Sequence, residues 1–162
     1  MKLLTMIKMQ KIVFLDFDGV LNTQRWYQNT FDPNAVACLS TLIEKTGADI
    51  VVSSSWKNLG FDWIKEMWKE RDLPGNVIGI TPNTISDEML LKISLEDMEE
   101  GALKGYEIEE WLSKNGKHVK SYVIIDDNDT FLPKQRPHLI KTNPFYGLRK
   151  NDVEKAINIL NE

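Results

Sequence analysis

Short, unbroken apolar runs alternate along the chain with segments whose apolar residues recur at helical spacing. Lys11-Ile12-Val13-Phe14-Leu15 lacks polar alternation, which predicts a parallel strand buried on both faces. Asp32-Pro33 supplies an N-cap and an N1 proline, and Val36, Leu39, Leu42 and Ile43 then recur as a helix face ending at Gly47. Ile50-Val51-Val52 predicts a second buried strand, Phe61, Ile64 and Trp68 a second helix face, and Val77–Ile80 a third strand. Tyr106 to Asn115 reads as a helix with Ile108, Trp111 and Leu112 on one side and Gly116 as its stop. Tyr122–Ile125 and Leu139-Ile140 are further strands. The last helix is expected to open on Asn151 as N-cap with Glu154 at N3, and to bury Val153, Ala156, Ile157 and Leu160. Trp63, Trp68 and Trp111 fall on helical apolar faces and are expected in the core.

Strand–helix alternation of this kind predicts an α/β fold, an open and mostly parallel sheet with helices on both faces. Such sheets place their ligands at the carboxyl ends of the strands. The 162 residues suit one domain, with residues 1–10 as an N-terminal extension. Hydrophobic residues at 42% supply a core without disulfides or structural metals. The single cysteine, Cys38, excludes an internal disulfide, and its apolar neighbours mark it as a packing residue rather than a nucleophile. Residues 1–10 are too short for a secretory signal, and no apolar run approaches the roughly 20 residues that span a bilayer. The expected compartment is therefore the cytoplasm, with no membrane partner. A net charge of −4 excludes a general attraction to polyanions but not a local basic site.

Three apolar runs end in chemically useful residues: Asp16-Phe17-Asp18-Gly19, Ser53-Ser54-Ser55 and Asp126-Asp127. Carboxylates gathered at one strand edge repel one another unless a cation compensates. An all-oxygen acidic set suits magnesium, which keeps part of its water shell. The sequence therefore predicts a hard divalent cation at Asp16, Asp18, Asp126 and Asp127. A phosphorelay receiver also combines aspartates, Ser/Thr and Lys, but places its acidic pair early and its acceptor mid-chain. Here Asp16-Phe17-Asp18 comes first and Asp126-Asp127 late.

The whole pattern resembles the haloacid dehalogenase superfamily. KIVFLDFDGVLN at Lys11–Asn22 resembles its first motif, Ile50–Ser53 its second, Lys104 its third and VIIDD at Val123–Asp127 its fourth. SSSWK at Ser53–Lys57, YEIEEWL at Tyr106–Leu112 and KTNPFYGL at Lys141–Leu148 are most similar to the domain of this superfamily found in Swiss-army-knife RNA-repair proteins. The resemblance implies a three-layer Rossmann-like fold and a magnesium-dependent phosphatase working through an aspartyl-phosphate. Its substrate is a phosphate monoester, such as a nucleotide or a nucleic-acid terminal phosphate. An inactive binding module and a phosphotransferase are the alternatives. By the same resemblance Asp16 is the nucleophile and Asp18 the acid and base, while Gly19 lets the backbone turn beside the phosphate. Ser53, the Ser54 amide and Lys104 hold phosphate oxygens. Asp16, the Asp18 carbonyl and Asp126 hold magnesium, with Asp127 behind them.

Two choices stay open at this level. Ser54 competes with Ser53 for the hydroxyl role, and Lys92, Lys114 and Lys117 compete with Lys104. Asp129 is expected to cap the turn after Asp126-Asp127. Trp26 and Trp56 either stack on a base at the pocket mouth or pack, and Arg25 and Lys57 beside them are candidates for a second phosphate. Room for a cap is small, so a minimal cap or none is expected, with 84–101 as a possible small lid. His118 and His138 show no ligand spacing, and the oligomeric state leaves no mark in the sequence.

Overall fold

The computed structural model describes residues 8–83, 87, 91 and 103–162. The expected lid at 84–101 therefore lies almost wholly outside the described residues. Among those described, five strands form an all-parallel sheet: β1 (Gln10–Leu15), β2 (Asp49–Val52), β3 (Val77–Ile80), β4 (Val119–Asp126) and β5 (Leu139–Lys141), in the order β3-β2-β1-β4-β5. Helices α1 (Pro33–Thr46), α2 (Phe61–Glu70), α3 (Leu103–Asn115) and α4 (Lys150–Leu160) cover it. No helix among the described residues is long and apolar enough to cross a membrane.

Period-2 alternation along β1 divides the core between the two faces of the sheet. Val13 and Leu15 join Leu39, Leu42, Ile64, Trp68, Val153 and Leu160, so α1, α2 and α4 lie on one side. Ile12 and Phe14 join Ile108 and Trp111, placing α3 on the other. Phe14 meets Trp111 and Tyr122 edge to face, with centroids 5.5 and 5.7 Å apart. Right-handed crossovers explain the layering. The chain steps outward from β1 to β2 to β3 through α1 and α2, then returns to β4 on the far side of β1 through α3. The strand order reverses between β1 and β4, and open α/β sheets bind ligands at that crevice.

Most expected boundaries hold. Asp32 caps α1, its carboxylate accepting the Asn34 N–H, and Gly47 ends α1 at φ 67°. Two expectations are corrected. The last helix begins at Lys150 with Arg149 as N-cap, not at Asn151, and Asp152 rather than Glu154 reaches back, accepting the Arg149 N–H at 2.9 Å. Asp152 is buried beneath the helix start while Glu154 is exposed, so burial chose between two acids two residues apart. Trp63 is 41% exposed rather than core. On α2 the buried stripe runs through Ile64, Met67 and Trp68, and Trp63 sits about 100° off Ile64 around the helix. In addition, α3 begins at Leu103, three residues before the sequence suggests, which puts Lys104 on its first turn instead of ahead of it.

Candidate active site

The sheet register builds the site. Leu15 pairs with Val52 on one side and with Ile125 on the other. The ladder continues one step past the strands, with Asp16 N–H donating to the Ile125 carbonyl at 3.0 Å and Ser53 N–H to the Leu15 carbonyl at 2.8 Å. Ser53 just past β2, Asp16 just past β1 and Asp126 at the end of β4 thus stand side by side, because three unrelated segments each run out of apolar residues at the same rung.

At that edge Lys104 reaches in from α3. Its Nζ lies 2.7 Å from Asp126 Oδ2 and 3.1 Å from Asp16 Oδ2. The second oxygens are held by backbone, Asp16 Oδ1 accepting the Phe17 N–H at 2.8 Å and Asp126 Oδ1 the Asn128 N–H at 2.9 Å. Burial raises the Asp16 pKa against the opposing pull of Lys104. Burial and the neighbouring Asp16 charge push Asp126 up to about 7. For Lys104, burial alone would depress the ammonium, but Asp126 and Asp16 outweigh it and hold its pKa above the usual value.

Carboxylate oxygens of Asp16, Asp126 and Asp127 all lie within 4.8 Å of one another. Three carboxylates against one ammonium leave an excess of negative charge in a largely buried, oxygen-only donor set, which fits a hard cation such as magnesium. Gly19 is tied to this trio. Its φ is 81°, and a Cβ there would collide with the Asp127 carboxylate. The Thr142 hydroxyl donates to the Gly19 carbonyl at 2.8 Å and fixes the turn from outside.

Asp18 stands apart from the trio. Its side chain is exposed, with Oδ1 accepting from Asn22 Nδ2 at 2.9 Å and Oδ2 from the Trp56 indole at 3.3 Å. The serines differ in their engagement. Ser54 Oγ caps the turn Ser55–Leu59 by accepting the Trp56 N–H at 3.3 Å, whereas Ser53 Oγ is buried with no hydrogen-bond partner. An orphaned buried hydroxyl beside a carboxylate cluster is what a phosphate oxygen would satisfy.

Two sequence expectations change here, those for Lys57 and Asp129. Lys57 does not face a substrate. It is buried, paired with Glu107 Oε2 at 2.9 Å, and donates to Thr81 Oγ1 at 3.0 Å and the Pro82 carbonyl at 3.2 Å. A glutamate within the apolar run Tyr106-Glu107-Ile108 was the available signal, since a buried acid demands a buried base. Asp129 does not cap the turn. It pairs with Lys141 at 3.1 Å, and Asn128 Oδ1 instead accepts from Thr130. Trp56 packs edge-on against Phe17, at 5.4 Å, while its indole N–H holds Asp18. Arg25 is held by Asp32 at 2.7 Å. His138 stacks on Tyr122 away from the carboxylates, with centroids 4.0 Å apart.

A parallel sheet with an aspartate trio, a lysine and a free serine at its carboxyl edge defines an aspartate-centred α/β class. The profile described as the HAD domain in Swiss Army Knife RNA repair proteins matches residues 12–153, and the chain belongs to that family. Membership suggests phosphohydrolase-type chemistry. No curated protein matches the chain.

Proposed function

We propose that the protein is a magnesium-dependent phosphatase that hydrolyses a phosphate monoester, such as a nucleic-acid terminal phosphate, through an aspartyl-phosphate on Asp16. The supporting observation is the Asp16–Lys104 contact at the sheet edge, with the partnerless, buried Ser53 hydroxyl carried by the neighbouring strand at the same rung. Asp16 attacks phosphorus while the bond from phosphorus to the ester oxygen breaks, and the Asp18 carboxyl donates its proton to that oxygen. Asp18, now a carboxylate, takes a proton from water. The water oxygen attacks the same phosphorus, releasing inorganic phosphate and restoring Asp16. Exposure suits Asp18 to this exchange of protons with solvent, and Asn22 with Trp56 keeps its carboxylate aimed. Ser53, the Ser54 amide and Lys104 hold the equatorial oxygens, and Gly19 keeps the backbone close. Asp16, Asp126 and Asp127, with the Asp18 carbonyl, would hold magnesium, whose charge offsets repulsion between an anionic nucleophile and an anionic ester.

The decisive assay is phosphate release from an aryl phosphate, nucleotides, and 3′- and 5′-phosphorylated oligonucleotides, with and without magnesium. Magnesium-dependent release is expected, and none on any substrate from folded, metal-loaded protein would leave a binding module instead. Metal affinity carries its own signature. With Asp126 titrating at about 7 in the metal-free protein, a proton occupies the site below that pH and must leave when metal binds. Magnesium affinity should fall about tenfold per pH unit below that point, and calorimetry in buffers of different ionisation enthalpy counts the proton.

The serines separate by measurement. Ser53→Ala should lower kcat/KM by about 10²-fold, the scale of one lost oxyanion donor, with stability unchanged. Ser54→Ala should cost about 1 kcal/mol of stability through the lost cap, with a smaller kinetic effect. Paired kinetics and thermal unfolding distinguish the two, and the reverse pattern would move the phosphate to Ser54.

A further inference from the structure

The loop after β1 and the loop after β5 are fastened together backbone to backbone. Gln24 N–H donates to the Pro144 carbonyl at 3.0 Å, Arg25 N–H to the Phe145 carbonyl at 3.3 Å, and Leu148 N–H to the Val20 carbonyl at 2.9 Å. Gly147, at φ 68°, lies so close to the Val20 carbonyl that no side chain fits. With the backbone anchored this way, the aromatic side chains of the second loop are not needed for packing. They are displayed: Phe145 is 44% and Tyr146 39% exposed, and Tyr27 on the facing loop is 92% exposed.

The display is ordered. Phe145 meets Tyr146 edge to face at 4.9 Å, and the guanidiniums of Arg25 and Arg149 lie 5.6 and 4.9 Å from the Tyr146 ring centre. Asp32 fixes Arg25 through an ion pair at 2.7 Å. A cleft of about 280 Å³ is lined by Asp18 and Asp127 together with Gln24 and Pro144, which directly precede Arg25 and Phe145 in the chain, so the rim adjoins it. Its remaining polar walls, Asn22 and Thr23, are uncharged.

Exposed rings beside guanidiniums, continuous with a site for a phosphate group, match one ligand chemistry. Aromatic faces and arginine planes stack on any nucleobase, and guanidinium charge offsets phosphodiesters. A lone nucleotide would end within the cleft, and a phosphopeptide has no use for a series of flat faces. We propose that Phe145, Tyr146, Arg25 and Arg149 form a subsite for the nucleotides next to the terminal phosphate of a single-stranded nucleic acid. This rests on the phosphohydrolase reading only for which end of the strand enters the cleft. Sequence had left Trp26 and Trp56 open between stacking and packing, and had named Arg25 and Lys57 as candidates for a second phosphate. Trp56 and Lys57 are committed to Asp18 and Glu107, and Trp26 donates to Thr30 at 3.2 Å.

The test compares kcat/KM on phosphorylated hexanucleotides, a mononucleotide, a phosphopeptide and a small aryl phosphate for wild type, Phe145→Ala, Phe145→Trp and Arg149→Ala. Phe145→Ala should lower the hexanucleotide value about tenfold, the scale of one lost base stack, and leave the aryl phosphate value unchanged. Phe145→Trp should restore it, and Arg149→Ala should weaken the oligonucleotide and flatten its salt dependence. Equal losses on both substrates, no preference of wild type for the hexanucleotide over the mononucleotide, or a preference for the phosphopeptide would overturn the subsite. Anisotropy of a labelled single strand reads the rim without hydrolysis. Binding weakened by Phe145→Ala in a protein that releases no phosphate would keep the rim and discard the phosphatase. Absent or unaltered binding in a protein that hydrolyses the aryl ester would do the opposite.

Discussion

Asp16→Asn should reduce phosphate release by at least about 10³-fold, in line with removing a covalent nucleophile, while the protein stays folded. The amide is nearly isosteric, and its oxygen can still accept the Phe17 N–H that holds the carboxylate now. What it loses is the charge, and with it, on the proposed mechanism, both the nucleophile and one of the three carboxylates that would face a cation. Folding should survive because Asp16 is a buried anion whose pKa burial already raises; neutralising it removes repulsion with Asp126 as well as attraction to Lys104. Single-turnover phosphate release on the best substrate, with circular dichroism as control, decides it. Full activity in the variant would mean that water or another carboxylate attacks phosphorus.

Lys57→Met should destabilise the protein by about 3–5 kcal/mol, the usual cost of orphaning one member of a buried ion pair. Glu107 would be left buried without its partner, and Thr81 Oγ1 and the Pro82 carbonyl would lose their donor. In a domain of this size that is a fall in melting temperature of roughly 6–20 °C. The double variant Lys57→Met/Glu107→Leu should recover most of the loss, since apolar replacements for a whole buried pair are often neutral. Denaturant unfolding of the single and double variants gives the coupling directly, and a single-variant cost below about 1 kcal/mol would mean that water reaches the pair.

Residues legible in the sequence share one property: each is the first polar residue after a continuous apolar run. Asp16, Ser53 and Asp126 could be placed at one sheet edge because buried parallel strands announce both their location and their end. Lys104 was harder. A lone lysine carries no periodic signal, and its position on the first turn of α3 became visible only with the helix start at Leu103. Lys57 was misread as a phosphate candidate, and Trp56 stayed open between stacking and packing, because nothing local distinguishes a buried, paired side chain from a solvated one. Their partners, Glu107 and Asp18, lie 50 and 38 residues away in the chain. Trp63 and the cap of α4 show a smaller failure of the same kind, where spacing narrows the choice to adjacent candidates and packing selects among them.

The hydrogen bonds that carry the ladder past Leu15 have a further meaning for how this protein can change over time. They run through the main chain, so the spacing among Asp16, Ser53 and Asp126 does not depend on which apolar side chains fill the layers beneath. Substitutions in β1 can trade volume and lose stability while the spacing of the acidic edge persists. Loss or gain of a single residue within β1 is a different event. It would turn every following side chain to the opposite face and bring a neighbour of Asp16 to the rung that faces Ser53 and Asp126. The strand tolerates drift in composition and almost none in length.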